Sequence, residues 1–171
     1  LKEIKETIKQ HKRELEERAM TVALAAIFYG DLKNNKKNNV VFDLDKFTSF
    51  EGNTGPYLLY TYARASSILK KADEKKVNPK FKINELEEKE LILVKQLSLF
   101  QEKVLDAFGH LSPAIIAKFC YDSCQKFNEF YQQCPVIGSD SEGFRLALVE
   151  AFRIILRSAL NLLGIKALEE M

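Results

Sequence analysis

SPAIIAKFCYDSCQKFNEFYQQCP, residues 112–135, decides the fold class of this chain. Ser112 before Pro113 is a helix start, because serine suits the cap and proline suits the first helical position, where its missing N–H has no partner to lose. Ile116, Phe119, Cys120, Ser123, Phe127, Phe130, Tyr131 and Cys134 follow at three- and four-residue steps, the period of one helix face. Pro135 stops the run.

The flanking sequence repeats the pattern. Residues 136–140 form a connector, and a helix is expected from about Ser141 to Leu163, with Phe144, Leu148, Phe152, Ile155, Ala159 and Leu162 inward and Gly164 closing it. On the other side, Leu86, Leu93, Leu97, Phe100, Val104 and Phe108 make one apolar stripe from Asn84 to Gly109. Three long helices with short loops make a bundle.

Farther out, residues 70–82 carry six lysines against two acids, and Pro79 disfavours helix before it. This basic linker is the expected boundary between a segment 1–82 and the bundle 83–171. Before it, Gly52 and Gly55 flank Asn53 and Thr54 in a turn, and Pro56 starts a helix to about Ala72. Tyr57, Tyr60, Arg64 and Ile68 lie along that helix at helical spacing. Residues 40–44 are short and β-branched and read as an extended segment, after a lysine–asparagine loop at 33–39. Asp43, Asp45 and Glu51 match no calcium-loop spacing, so a capping role is preferred, with Asp45 capping a short turn through Phe47. Residues 2–30 read as a helix with a break near Glu17, a charged entry giving way to the small apolar run 21–27. The expected fold is mainly α: a helical bundle preceded by a helical junction with one short extended stretch.

Composition excludes little. The 171 residues carry a net charge of +2, too small to demand or exclude a nucleic-acid partner. Cys120, Cys124 and Cys134 are an odd set without Cys-x-x-Cys and with only His110 nearby, which favours reduced core thiols over zinc ligands and a cytoplasmic setting. No run is long and apolar enough for a membrane span. No acid–base pair, phosphate loop or metal set is present, so the chain offers no catalytic residue. Arg145, Arg153 and Arg157 recur along the last helix as a stripe that could track phosphates, or that Glu142 and Glu150 could neutralise. Tyr131, at the end of its helix, suits an unstacked RNA base, although core packing explains its neighbours Phe127 and Phe130 equally well.

Three blocks resemble arginyl-tRNA synthetases, a class I family. Phe-Glu-Gly-Asn-Thr-Gly-Pro-Tyr-Leu-Leu-Tyr, residues 50–60, is similar to its Phe-Glu-Gly-Asp-Thr-Gly-Pro-Tyr-Leu-Gln-Tyr. Residues 128–137 resemble the Phe-Tyr-x-x-Cys-Pro-Val block of its anticodon-binding domain. Residues 145–165, ending in Leu-Leu-Gly-Ile, resemble its final helix, whose Asp-Ala-Leu-Arg-like wording gives the DALR domain its name. Two positions depart from the pattern: Leu59 stands for Gln, and Glu170 for the usual Arg before the terminal Met. Neither His-x-Gly-His nor Lys-Met-Ser-Lys-Ser occurs.

The resemblance implies a piece of a longer, monomeric, cytoplasmic ligase that joins arginine to tRNA(Arg) with ATP and Mg. Residues 1–82 are then the helical tail of the catalytic domain plus linker, with Tyr57 and Tyr60 anchored beneath the catalytic domain, and 83–171 the DALR anticodon-binding bundle. It implies no cofactor and no adenylate chemistry in this chain alone. Tyr131 is expected to stack on an anticodon base, with Met171 and the terminal carboxylate closing the pocket and Arg145, Arg153 and Arg157 as further tRNA contacts. The competing reading is a helical protein-interaction module without RNA; a stand-alone helical enzyme lacks the residues it needs.

Overall fold

The computed structural model describes residues 2–77, 79 and 85–171. Among the described residues seven helices follow in order: α1 Lys2–Leu32, α2 Leu44–Thr48, α3 Gly55–Glu74, α4 Glu88–Ser98, α5 Phe100–Gly109, α6 Pro113–Gln133 and α7 Glu142–Leu162. Among the described residues there is no strand; residues 40–43 are irregular, with Asp43 in extended backbone. Residues 78 and 80–82 of the basic linker, and the side chains of Ile4 and Ile8, lie outside the described residues.

Helix α6 is the axis of the molecule and packs against α1, α3, α4, α5 and α7. Of its expected inward face, Ile116, Phe119, Cys120, Ser123, Phe127, Phe130 and Cys134 are buried, joined by Cys124, while Tyr131 at the helix end is exposed. One core of buried side chains runs from Ala25 in α1 through α3, α4 and α6 to Ile165 after α7. Burial pushes the thiols of Cys120 and Cys124 well up and that of Cys134 up to about 11, so all three are protonated at neutral pH.

Caps explain the boundaries. Thr54 Oγ1 accepts the N–H of Tyr57 at 3.2 Å and starts α3, with Pro56 in its first turn. Gly164 is left-handed (φ 72°), and Ile165 N–H returns to the Leu160 carbonyl at 3.0 Å, closing α7. The same closure ends α3 and α5, but there the left-handed residues are Lys76 and Leu111.

Several sequence expectations are corrected. The helix α1 is continuous through Glu17. Asp43, not Asp45, caps α2, its Oδ1 accepting Lys46 N–H at 3.1 Å. The stripe 84–109 is two helices separated at Leu99, and Phe108 is 79% exposed rather than inward. At the end of α7, Leu162 is exposed, while Leu156, Leu160 and Leu163 fill the core.

In the run 21–27 the buried residues are small: Ala25 and Ala26 are covered, Leu24 and Ile27 exposed. Gly55 explains this. A Cβ there would overlap the backbone carbonyl of Ala25, so α1 and α3 approach closely where neither carries bulk. Gly55 is thus needed for space, and Gly52 (φ 78°) for its turn. Gly55→Ala is expected to destabilise the fold by about 1–3 kcal/mol, read from the urea midpoint at unchanged m-value. An unchanged midpoint would contradict the close approach.

Candidate nucleic-acid interface

The turn 49–55 is tied to the core, with Thr54 and Gly55 buried and residues 50–53 exposed. The Tyr29 hydroxyl lies 2.5 Å from Asn53 Oδ1 and 3.0 Å from the Ala117 carbonyl, and Lys33 Nζ donates to the Asn53 carbonyl at 2.7 Å. One side chain therefore ties α1, the turn and α6 together. Tyr57 continues the tie: its hydroxyl accepts from Asn128 Nδ2 at 2.9 Å and its ring packs 5.8 Å from that of Tyr121. Tyr57 thus anchors α3 to α6 within the bundle. Leu59, where glutamine was expected from the resemblance, is fully buried, an environment that favours the apolar residue.

Past this junction α3 opens onto a cleft of about 930 Å³. Tyr131, Arg153 and Met171, three of the expected contacts, line it together with Tyr60 and Arg64. Tyr131 is 41% exposed, although its neighbour Phe130 is fully buried. Its ring is nearly parallel to that of Phe127 (7°, centroids 6.5 Å apart), and Phe127 stacks on Phe152 at 4.0 Å. The exposed ring thus lies parallel to Phe127, which is itself held in the core against Phe152. The Arg64 guanidinium lies 5.6 Å from the centroid of Tyr131 and 4.8 Å from that of Tyr60, and donates to Asn128 Oδ1 at 2.5 Å. Tyrosine and guanidinium planes held in one place are what an unstacked base packs against.

Cations surround this platform. Arg18, Lys70 and Lys71 line the same cleft. Lys70 Nζ lies 3.0 Å from Glu170 Oε1, Arg18 Nη2 3.5 Å from Glu170 Oε2, and Arg153 Nη1 3.5 Å from Glu169 Oε1. The Lys70 hydrogen bond holds the Glu170 carboxyl below its ordinary range.

Arg145 is a correction to the expected stripe. Its side chain is 5% exposed; Nε donates to Glu90 Oε1 at 2.6 Å, Nη1 to the Pro135 carbonyl at 2.8 Å and Nη2 to Glu87 Oε1. It has no face left for a phosphate. Eight residues at about 100° each put Arg153 some 80° around the helix from Arg145, so the three arginines do not form one row. Arg157 is exposed but does not line the cleft. Neither Glu142 nor Glu150 pairs with these arginines among the described residues; Glu142 accepts the N–H of Gly138 at 2.8 Å. Glu87, Glu90 and Cys134 converge within 4.8 Å, the one such group among the described residues, and its cation is Arg145.

Residues 58–171 match the family described as DALR anticodon binding domain. The chain belongs to the DALR anticodon binding domain family. It is 40% identical over 160 residues to an arginine–tRNA ligase of Clostridium acetobutylicum, covering 91% of this chain and 28% of that protein. It is 35% identical over 174 residues to one of Clostridium perfringens, covering 98% and 31%. Its fold is similar to the arginyl-tRNA synthetase of Thermus thermophilus, with a TM-score of 0.83 and 33% identity over 91% of this chain and 28% of that one. The chain therefore spans less than a third of the length of these relatives.

In this DALR chain the match begins inside α3, so the helix that carries Tyr60 and Arg64 is shared with the family. Sequence reasoning placed Tyr60 and Arg64 on one helix face but gave them no ligand. Their spacing of four, an aromatic beneath an arginine, was the available signal. Arg18 had none, because it reaches the cleft from a helix more than forty residues away in sequence from Tyr60. No helix among the described residues is long and apolar enough to cross a membrane.

Proposed function

We propose that this chain is the tRNA-binding C-terminal part of an arginine–tRNA ligase, and that its cleft receives the anticodon arm of tRNA(Arg). The observation that carries the reading is the placement of Tyr131: an exposed ring, parallel to that of Phe127, beside Arg64 and Met171 in a cleft with cations around its rim. Tyr131 stacks on a splayed base, Arg64 adds a second flat surface, and Met171 packs against the base edge. Arg153, with Arg157 outside the cleft, meets the backbone. The DALR membership and the relatives' names support the same reading.

Residues 1–82 join this binding unit to the catalytic part. The support is a row of exposed apolar side chains on α1, Met20, Leu24, Ile27 and Phe28, and the exposed Val41, Phe42 and Phe50 in the segment that follows. Attachment of arginine with ATP and Mg belongs to the parent enzyme, which acts as a monomer in the cytoplasm. ATP–pyrophosphate exchange by this chain alone is expected to stay at background, and exchange above background would contradict that assignment.

Titration with arginine tRNA at stepped salt concentrations tests the function. Binding through phosphate contacts falls steeply with salt, by counter-ion release. Saturable binding that weakens in this way is the expected result. Absence of binding, or affinity indifferent to salt, would overturn it.

A further inference from the structure

We propose that Arg18, Lys70 and Arg153 form a phosphate subsite in the cleft, and that Glu169 and Glu170 occupy it as internal stand-ins for the RNA backbone. The identity of the RNA rests on the anticodon reading above; the subsite rests on the geometry of the tail.

The two oxygens of Glu170 bridge Lys70 of α3 and Arg18 of α1, at 3.0 and 3.5 Å. A phosphodiester would span the same two cations with its two free oxygens. Glu169 meets Arg153 of α7 at 3.5 Å, so the tail draws together cations from three helices. Two of these three contacts are longer than a good charge-assisted hydrogen bond, and all the carboxylates are more than half exposed. Such pairs are worth little in water and exchange readily for a better anion. Arg153 also keeps a buried Nε–H with no partner among the described residues, so its pairing with Glu169 leaves donor capacity unused.

The cleft is lined by Arg18, Arg64, Lys70, Lys71 and Arg153 against Asp73, Glu74, Glu169 and Glu170. Removal of the two tail acids leaves five cationic side chains facing two acidic ones. The tail thus sets how much of the positive field an approaching RNA feels. When RNA enters, its phosphates replace the carboxylates, which move out into solvent, and no covalent change is involved.

The test compares the unchanged chain with an E169Q/E170Q variant. Both positions are exposed, so the substitutions leave the core intact. The variant is expected to bind arginine tRNA about tenfold more tightly at low salt, from two or three weak pairs that no longer have to break. The gain should vanish as salt rises, and a further Lys70→Gln should remove most of it. Affinity that is unchanged or weaker in E169Q/E170Q overturns the proposal. Inorganic tripolyphosphate, followed by the NMR signal of Arg153 Nε–H, provides a second arm free of RNA. The signal should shift at lower tripolyphosphate concentration in the variant; no shift in either protein overturns the subsite. A tripolyphosphate response in chains that ignore tRNA would support the subsite and refute the anticodon reading instead.

Discussion

Arg145→Ala is expected to destabilise the bundle by about 3–5 kcal/mol, the cost of leaving a buried partner charge uncompensated. Glu90 is 1% exposed and would lose the Nε donor 2.6 Å away; Glu87, more than half exposed, would turn to solvent. The Pro135 carbonyl would lose its donor as well. At about 2–4 °C per kcal/mol for a chain of this size, the melting temperature should fall by roughly 10 °C. Arg145→Lys should recover part of this, because an ammonium carries the charge but lacks the planar fork that reaches three acceptors. Replacing both buried partners, as Arg145→Met with Glu90→Leu, should be milder than Arg145→Ala alone, because no unpaired charge stays behind. Thermal melts of the four proteins decide the matter. A melting temperature for Arg145→Ala within a degree or two of the unchanged chain would contradict the clamp.

The second large effect concerns binding. Tyr131→Ala is expected to weaken tRNA binding by about 1–3 kcal/mol, roughly tenfold or more, the range for loss of one base-stacking partner. Its fold should survive, because the ring is 41% exposed and Phe127 still has Phe152 to stack on. Tyr131→Phe should bind almost as the unchanged chain does, since stacking uses the ring and no hydrogen bond from the Tyr131 hydroxyl is present among the described residues. Equal affinity of Tyr131→Ala and the unchanged chain, by fluorescence anisotropy at one salt concentration, would remove Tyr131 from the interface.

These two residues also mark where the sequence is readable. The bounds of α6 and α7 were legible because their signals are local: Ser112 with Pro113, Pro135, and Gly164. The break between α4 and α5 was not, because Leu99 sits in near-helical backbone (φ −74°, ψ −8°) with neither glycine nor proline to announce it. The left-handed caps at Lys76 and Leu111 were equally silent, since glycine is the usual signal for that conformation.

For the site, Tyr131 and Met171 could be named from the family's blocks, and the structure brings them to one cleft with Arg153. Arg145 could not be read correctly from its own helix. Its partners Glu87 and Glu90 lie 58 and 55 residues upstream, and no spacing on α7 reveals them. An arginine at a plausible surface position is indistinguishable from a buried one until the acids across the core are known. Glu170 shows the reverse case. Its departure from the family pattern was visible, but its meaning came only with Lys70 and Arg18 beside it.

The central claim is that this cleft reads an anticodon and does not merely hold polyanions. Its most direct test is competition between arginine tRNA and the same tRNA with substituted anticodon bases, measured on the unchanged chain and on Tyr131→Ala. The account predicts that at least one substitution weakens binding to the unchanged chain about tenfold or more, and that Tyr131→Ala loses most of that discrimination. Equal affinity for every anticodon in both proteins would contradict it.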